Sequence, residues 1–572
     1  MATARPPRAV DRLGVADVLR EIGVLLALEG ASPFKTRAFE RGARAVEGAA
    51  DLESLAAAGR LQEIPGIGPV LASTIDELLT TGESRLLGEL RARLPPGVVE
   101  LSGVVSLPRA RALHDALGIA TLSELEGACR ARLVRHVRGF GEKSEARILG
   151  DLRRLAERGH AVLLHRADGE AERAIAFARG LPGVTRAEPA GTLRRRHEAI
   201  DRIAILAASD DPARARERAV RLPQSRGILR EGPDGITFLL AGDLTLDLAI
   251  VGRDAFAGAW LWRTGSEAHV EMLARRADAR GLSLGPHGLS GAAALDETAV
   301  YDALGLPFIP PELREGEGEI EAAERGLLPP LVTREDILGA VHCHTDASDG
   351  RHDLLRMARA ADALGLRYLT VTDHSQNARY ANGLDPERLK RQWDEIARVQ
   401  EQVTVRLLRG TECDILRDGA LDCPPSVIEQ LDVVIASVHE RYRMTSEEMT
   451  ERLVTAMRQP WFKIWGHALG RYVLRRPPLA CDLGRVLDAA AGSRVAIEIN
   501  GDPHRLDLEP RLVREARLRG IRFVVSCDAH STGALENIRF GVDMARRAGL
   551  TRADVLNTMD TDAFRAEVRP AS

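Results

Sequence analysis

The stretch GAVHCHTDASDG, residues 339–350, places polar side chains directly after a short apolar segment, and similar junctions recur towards the C-terminus. The apolar segments include LRYLTV, LDVVIA, WFKIW, RVAIEI and IRFVV. The polar residues at these junctions are His342, His344, Asp349, Asp373, His374, Glu412, His439, His467, Glu498, Asp528 and His530. A side chain just past a buried strand is held by rigid backbone yet is open to a cleft. The spacing therefore predicts a βα barrel whose strand ends meet at a polynuclear metal centre, with metal-assisted hydrolysis as its chemistry.

The length and composition predict a multidomain globular protein. A chain of 572 residues is too long for one core, so we expect three or more domains. The apolar content of 45% and charged content of 28% are ordinary, and the net charge of −4 argues neither for nor against nucleic acid. Without a signal-peptide pattern or an apolar run of about 18 residues, we expect no membrane insertion and a cytoplasmic location. The six cysteines form no CxxC pair and are predicted to be reduced packing residues.

Two glycine-containing turns near the N-terminus are typical of helix-hairpin-helix motifs. IPGIGP (64–69) precedes VLASTIDELL, and VRGFGEK (137–143) precedes SEARILGDL. Glycines let a backbone approach a phosphate closely, and the following helix N-terminus offers free N–H groups. We therefore predict sequence-independent DNA binding, with a tight corner between helices as the alternative. The residues assigned to DNA binding are Gly66, Gly68, Gly139, Gly141 and Lys143.

The middle of the chain shows a β/α pattern. HAVLLHRA (160–167), GITFLL (235–240) and LTLDLAIV (244–251) are predicted strands, with a helix at Glu170 to Arg179. Residues 256–318 form a smaller α/β unit, and the Glu/Gly/Pro-rich segment 319–334 is a predicted linker. From about residue 335, predicted strands and helices alternate to the end, as in a βα barrel.

In this order, the parts resemble the bacterial family X DNA polymerases. Those proteins join helix-hairpin-helix domains, a nucleotidyltransferase palm and thumb, and a C-terminal PHP (polymerase and histidinol phosphatase) domain. The segments ALGLPFIPPELREG before the linker and GDPHRLDL after Glu498 add to a resemblance that covers nearly the whole chain. It implies a multidomain α+β protein whose C-terminal domain is a (βα)7-type barrel. The implied domains are an N-terminal helical domain (1–85), a helical fingers-like domain (86–155), a palm (156–255), a thumb-like domain (256–318), the linker (319–334) and the PHP phosphoesterase domain (335–572).

The palm departs from the family at its metal-binding positions. The family's D-x-D pair aligns with Arg202 and Ala204, and its third carboxylate aligns with Asp247. A register that uses Asp201 instead recovers one ligand and places Ile203 at the second position. One carboxylate beside a guanidinium is a poor Mg²⁺ site, so we predict a degenerate palm that does not synthesise DNA.

The family's G-S-x-R-R-G turn is partly retained in the palm. Its residues here are Gly191, Thr192, Leu193, Arg194 and Arg195, followed by Arg196 in place of the last glycine. Two interpretations of Arg194 and Arg195 stay open: they hold a phosphate or a DNA end, or they are surface arginines without a partner.

By the same resemblance, the C-terminal domain carries a complete PHP ligand set for two or three Mn²⁺ or Zn²⁺ ions. The implied ligands of one ion are His342, His344, Glu412 and Asp528. Glu412 would bridge to a second ion held by His439 and His467, and a third would be held by Asp349, His374 and His530. Asp373 and Glu498 are expected behind the ligands, where they orient imidazoles or fix a loop. Imidazole and carboxylate ligands suit either metal, and the sequence does not choose between them.

The function implied is a DNA repair nuclease, either a 3′–5′ exonuclease or a 3′-end phosphoesterase, that acts on gapped duplex or 3′ ends. Three alternatives are an active gap-filling polymerase with a proofreading nuclease, a small-molecule phosphatase, and a non-catalytic DNA-end scaffold. The first needs another source of carboxylates in the palm, the N-terminal layout argues against the second, and the intact ligand set argues against the third. The sequence names no protein partner.

Overall fold

The computed structural model of the protein describes residues 12–29, 31–47, 52–81, 84–93, 101, 104–158, 161–233, 235–240, 244–292 and 294–570. The chain divides into two compact units, residues 1–159 and 160–572. Among the described helices, none combines the length and apolarity needed to cross a membrane. None of the six cysteines, all of which lie in described segments, forms a disulfide.

All the secondary structure described in the first unit is helical. Its α-helices are Arg12–Leu28, Pro33–Glu47, Leu52–Ala57, Pro69–Thr81, Arg85–Arg93, Leu107–Leu117, Leu122–Arg130 and Glu142–Arg158, and its 3-10 helices are Leu61–Glu63 and Val134–His136. The two predicted hairpin turns have the same backbone form, because Gly66 and Gly139 both adopt φ +89°. The Ile67 and Phe140 N–H groups donate to the carbonyls three residues earlier in both turns, at 3.0 and 2.9 Å. This confirms the predicted helix-hairpin-helix pair.

The second unit begins with the palm, a five-stranded sheet of order β2-β4-β7-β6-β5. The strands of this sheet are β2 Val184–Ala190, β4 Arg202–Ser209, β5 Gly227–Gly232, β6 Gly235–Leu239 and β7 Thr245–Gly252, and a separate two-stranded sheet pairs β1 Val162–Leu163 with β3 Ala199–Ile200. Its helices are Leu164–Arg179, Gly191–Arg194, Pro212–Ala219 and the 3-10 helix Arg253–Ala255.

One predicted palm strand is wrong. Only Val162 and Leu163 of HAVLLHRA are extended, and the helix predicted from Glu170 begins at Leu164. The helix buries Ala167, Ala171, Ala174 and Ala178, which recur every three or four residues. A short apolar run fits a strand or a buried helix equally well, and here the alanine spacing further along decided the outcome.

The thumb packs a helical core beside a small hairpin. Its α-helices are Phe256–Thr264, Glu267–Asp278, Glu297–Ala303 and Glu319–Glu324, its 3-10 helix is Pro311–Leu313, and its strands are β8 Ser283–Gly285 and β9 Gly288–Ser290. The helix Glu319–Glu324 corrects the predicted linker 319–334. Its Ile320 and Ala323 are buried in the thumb core, and the Glu319 carboxylate bonds the buried His269 ring at 2.5 Å. The start of the linker therefore belongs to the thumb.

The C-terminal domain is a nearly closed barrel of seven parallel strands, each paired with its sequence neighbours. The strands are β10 Gly339–Ala340, β11 Tyr368–Val371, β12 Arg406–Asp414, β13 Val433–Ser437, β14 Ile464–Trp465, β15 Ala496–Asn500 and β16 Phe523–Ser526. A parallel bridge between Cys343 and Ala529 joins the first and last strands beyond their ends. This confirms the predicted (βα)7-type barrel.

Helices surround the barrel strands. The α-helices are Leu354–Ala363, Pro386–Gln400, Pro425–Ile428, Ser446–Met457, Leu483–Gly492, Pro510–Arg517, Ile538–Arg547 and Thr561–Val568. The 3-10 helices are Arg379–Ala381, Thr532–Asn537, Arg552–Asp554 and Leu556–Thr558. Strand residues such as Val434, Trp465 and Ile497 are fully buried between the sheet and these helices.

The palm and thumb share a buried charge network that supports a stability prediction. The Glu297 carboxylate accepts from Arg194 at 2.7 and 2.5 Å and from Arg314 at 2.6 Å, and all three side chains are largely buried. Glu297→Ala leaves two buried guanidinium groups without their partner, so we expect the free energy of unfolding of this unit to fall by about 3–5 kcal/mol. Urea unfolding followed by circular dichroism measures the change.

The control for this prediction is Glu271→Ala, which removes an exposed carboxylate from the middle of the nearby thumb helix Glu267–Asp278. It should change stability by no more than about 0.5 kcal/mol. Equal stability of the Glu297 variant and the parent would contradict a structural role for the network.

Candidate metal centre

The side chains at the carboxyl ends of the barrel strands converge on the carboxylate of Glu412. Five imidazoles approach its two oxygens within 3.7 Å. The nearest nitrogens belong to His467 and His374, both at 2.9 Å. The other three distances to nitrogen are 3.2 Å for His439, 3.4 Å for His342 and 3.7 Å for His344. Glu412 is therefore the geometric centre of the cluster.

The nine predicted ligands all lie in this cluster. The donor atoms of eight of them form three groups in which every atom lies within 4.8 Å of the others, and the ninth residue, His467, lies 2.9 Å from Glu412 Oε1. These groups are His342, His344 and Asp528, then His374, Glu412 and His439, and finally His344, Asp349, His374 and His530. The grouping differs from the sequence-based assignment. Glu412 groups with His374 and His439 but not with His342, His467 belongs to none of the groups, and His344 and His374 are each shared between two groups. Such sharing is expected of closely spaced ions.

The hydrogen bonding of the buried donor atoms shows that this set of residues fits divalent cations. The buried atoms His342 Nε2, His344 Nε2, His374 Nδ1 and Glu412 Oε1 face one another but form no hydrogen bond of suitable direction. Buried polar groups are normally satisfied, so these atoms require ligands of another kind. Nitrogen and carboxylate donors that converge on one point are what Mn²⁺ or Zn²⁺ requires.

The electrostatics of the cluster favour positive charge at its centre. Burial opposes ionisation of Glu412, but the neighbouring imidazoles of His439, His342 and His374 lower its pKa well below the ordinary value. Burial likewise opposes charge on His439, yet the carboxylates of Glu412 and Asp414 raise its pKa to about 10. The Glu412 carboxylate is therefore ionised beside protons held on the imidazoles of His342 and His439, whereas burial lowers the pKa of His344 to about 3. A bound metal would displace these protons, because it ligates the neutral imidazole.

Glu498 lies behind the ligands and fixes one of them. Its Oε1 is 2.6 Å from His342 Nδ1 and accepts from the Ser526 hydroxyl at 2.6 Å. The carboxylate also accepts from the backbone N–H of His467. His342 is therefore held in an orientation that turns its Nε2 towards Glu412, as the predicted supporting role requires.

Asp373 fixes a loop instead of an imidazole. Its carboxylate accepts from the Thr345 N–H and the Thr345 hydroxyl, both at 2.7 Å, and from Gln392 at 2.5 Å. The Ser348 hydroxyl also donates to it. These bonds secure the turn between His344 and Asp349.

Two residues at the centre escaped the sequence-based assignment. Asp414 bonds His439 Nδ1, and its position two residues after Glu412 on the same strand, hence on the same face, was the available signal. Tyr380 is 72% exposed, and its ring centroid lies 6.2 Å from those of His374 and His439. It offers an aromatic surface at the mouth of the cluster.

Arg505 also reaches the centre. Its Nε is 3.2 Å from Asp528 Oδ2, and its guanidinium lies 4.8 Å from the Tyr472 ring centroid. Arg505 thus places positive charge beside Asp528 at the edge of the cluster.

The palm presents an ion pair at positions that the sequence predicts to align with the family's metal-binding carboxylates. Ala204 pairs with Asp247 across neighbouring strands, so the position opposite Asp247 carries no carboxylate. Arg202 donates to Asp247 at 2.8 Å, and the Thr237 hydroxyl donates to the other oxygen at 2.6 Å. Both oxygens of the remaining acid are therefore already engaged.

The retained arginines of the palm turn are engaged within the protein. Arg194 donates to Glu297, and Arg195 donates to Glu315 at 3.0 Å and to the Thr264 carbonyl at 2.7 Å. The structure thus supports neither interpretation of the pair, because both side chains have internal partners and little exposure. Gly191 begins the turn in the left-handed region with φ +62°, and Thr192 follows in the short helix Gly191–Arg194.

The residues assigned to DNA binding are exposed in the first unit. Gly66, Gly68, Gly139, Gly141 and Lys143 all lie on its surface. A Cβ added at any of the four glycines would meet nothing within 4 Å. The N–H of Gly141 donates to the Ser144 hydroxyl at 2.8 Å, so a phosphate would replace that partner.

Comparisons with known proteins agree with this layout. A helix-hairpin-helix domain family matches residues 12–84, a SAM-like helix-hairpin-helix tandem matches 108–154, and the DNA polymerase beta thumb matches 259–315. The chain is 32% identical over 567 residues to the DNA polymerase/3′-5′ exonuclease PolX of Bacillus subtilis, covering 96% of this chain and 98% of that protein.

Shorter matches link the chain to phosphatases. It is 28% identical over 231 residues to a probable phosphatase of Thermoanaerobacter sp. (strain X514), covering 38% of this chain and 89% of that protein. A probable phosphatase of Vibrio parahaemolyticus is 29% identical over 240 residues, covering 39% of this chain and 90% of that protein.

Removal of two imidazoles tests the cluster as a metal site. His342→Ala with His344→Ala deletes donors that face both Glu412 and Asp528, so we expect fewer Mn²⁺ ions per chain after equilibrium dialysis and elemental analysis. The matched control is His352→Ala, since His352 is half-buried outside the cluster and accepts from the Thr532 N–H at 3.1 Å. An unchanged ion count in the double variant would rule out this assignment.

Proposed function

Because the chain belongs to the family of bacterial DNA polymerase/3′-5′ exonuclease X proteins, we propose that it is a DNA-directed, metal-dependent 3′–5′ exonuclease or 3′-end phosphoesterase of DNA repair whose palm does not synthesise DNA. The proposal rests on the contrast between the barrel cluster and the palm. The barrel brings a full set of donors around Glu412, whereas the palm has Arg202 bonded to its remaining acid, Asp247. Hydrolysis thus has its ligands, and nucleotidyl transfer lacks them.

The proposed ligands are the nine clustered residues, with Glu412 shared between ions. Divalent ions held there would activate water and stabilise the negative charge that grows on a phosphate. The protein contributes orientation, because Glu498 fixes His342 and Asp414 fixes His439. Arg505 offers a guanidinium for a phosphate oxygen beside Asp528.

Two features favour a DNA end over a small phosphate ester as the substrate. The exposed Tyr380 ring at the mouth of the cluster suits stacking of a terminal base. The two hairpin turns of the first unit supply open, glycine-lined surfaces for the phosphate backbone. The proposed partner is therefore gapped duplex or a 3′ end, bound largely without regard to sequence.

A gap-filling polymerase is the second candidate. Family membership and the match to the polymerase beta thumb favour it. The substitution of both D-x-D positions and the internal pairing of Arg194 oppose it.

Incubation with a gapped duplex labelled at the 5′ end of its primer separates the two candidates. With Mn²⁺, the full chain should shorten the primer from its 3′ end, and added nucleotides should not lead to extension. Arg202→Asp with Ala204→Asp should allow some Mg²⁺-dependent incorporation, because it restores carboxylates beside Asp247. Robust templated incorporation by the unmodified protein would instead support the polymerase.

The contribution of the hairpin turns to binding is testable without disturbing the metal cluster. Gly68→Val and Gly141→Val add bulk to open surface at positions without a positive φ, so the turns should still fold. Each should weaken binding to gapped duplex by roughly 1–3 kcal/mol, because backbone N–H groups no longer reach phosphate. Fluorescence anisotropy at several salt concentrations measures the affinity and its salt dependence.

Two controls accompany the glycine variants. Gly127→Ala, at an exposed helical glycine outside the turns, should bind DNA as the parent does. Hydrolysis of bis-p-nitrophenyl phosphate should be the same in all three variants. Parent-like affinity and salt dependence in both valine variants would make the turns structural corners only.

A further inference from the structure

We propose that the palm positions the catalytic loop of the barrel, with Glu198 as the positioning residue. The loop is residues 501–509, which connect β15 to the helix Pro510–Arg517 and carry Arg505. This inference rests on the proposed phosphoesterase function of the barrel. It gives the palm a role that needs no Mg²⁺ and no nucleotide.

Arg471 is the barrel residue that holds this loop. Its Nε donates to the Arg505 carbonyl at 3.1 Å, and its Nη2 donates to the Leu506 carbonyl. The Arg471 guanidinium therefore binds the backbone carbonyl of Arg505, the residue whose side chain contacts Asp528. A movement of the Arg471 side chain would therefore move the backbone of Arg505.

The palm residue Glu198 contacts Arg471 from outside the barrel. Its Oε1 lies 3.4 Å from Arg471 Nη1, and its Oε2 accepts from Arg547 at 2.6 Å. Arg471 Nη1 also donates to Glu509 at 2.9 Å, so Glu198 adds a second carboxylate beside this arginine and connects it to the barrel helix Ile538–Arg547. Burial would raise the pKa of Glu198, but the charges of Arg547 and Arg471 lower it below the ordinary value, so the bridge is ionic at neutral pH.

A second palm contact reaches the same loop. The ring centroids of His165, in the first palm helix, and His504 lie 5.4 Å apart. Within the loop, Arg505 N–H and Leu506 N–H both donate to the Asp502 carbonyl, at 2.8 and 2.9 Å. The barrel also holds the loop at two other points, because Val473 N–H donates to the His504 carbonyl at 2.7 Å and Leu469 N–H donates to the Asp507 carboxylate at 3.0 Å. Beside these anchors, Arg471 is the side chain that binds the Arg505 carbonyl, so the palm acts on the orientation of Arg505 through Arg471.

The same interface contains an ion pair that does not touch the loop and serves as a control. Arg196 donates to Asp168 at 2.7 Å within the palm and to Asp543 at 2.8 Å on the barrel helix Ile538–Arg547. It is as buried as Glu198 and joins the same two domains. Loss of Arg196 should weaken the attachment of palm to barrel without releasing Arg471.

The test compares Glu198→Ala, Arg196→Ala, Arg505→Ala and the Glu198→Ala/Arg505→Ala double variant in the full chain with Mn²⁺. Hydrolysis of bis-p-nitrophenyl phosphate is measured well below the unfolding temperature of every variant. Glu198→Ala should lower kcat/KM by about tenfold, the scale of one lost charge-assisted hydrogen bond, and Arg196→Ala by less than about twofold. The double variant should be no slower than Arg505→Ala, because Glu198 acts through Arg505.

Hydrogen–deuterium exchange gives a readout that does not depend on activity. The amides of residues 502–508 should exchange faster in Glu198→Ala than in the parent and Arg196→Ala. Parent-like exchange and kcat/KM in Glu198→Ala, or equal losses in the two palm variants, would overturn the inference. If the parent itself fails to hydrolyse the ester, the proposed function fails, and the exchange comparison alone decides whether the palm holds the loop.

Discussion

The barrel is organised around the buried carboxylate of Glu412 and the five imidazoles that face it. An ionised carboxylate removed from water is tolerated only beside compensating charge, so the surrounding groups must be held close. The groups come from the ends of different strands: His342 and His344 after β10, His374 after β11, His439 after β13 and His467 after β14. A parallel barrel brings such ends to one point, so one constraint links the fold and the chemistry of this domain.

The residues that hydrogen-bond the proposed ligands from behind also keep these groups close to Glu412. Glu498 and Asp414 each bond the outward nitrogen of one imidazole, which leaves its other nitrogen for the centre. Asp373 secures the turn that carries Asp349. Arg505 adds positive charge at the edge, where its own position depends on Arg471 and Glu198.

Much of this was predictable from sequence because the signals are local. The proposed ligands lie within or soon after the barrel strands, so the motifs predicted the barrel and its centre without knowledge of long-range contacts. Two predictions failed for physical reasons. The strand predicted at HAVLLHRA is mostly helix, because a short apolar run suits either structure. The segment from Glu319 was predicted as a linker because it is rich in charge, although its Ile320 and Ala323 pack in the thumb core. The partner of Arg194 could not be predicted from the sequence, since Glu297 lies 103 residues further along the chain. Contacts of that range exist only after folding.

The most direct test of the central claim is anomalous diffraction from crystals of the full chain grown with Mn²⁺. We expect two or three manganese peaks among the nine clustered side chains, with Glu412 ligating more than one ion, and none beside Asp247 in the palm. A cluster without manganese under saturating metal, or two manganese ions bound beside Asp247 instead, would contradict the account.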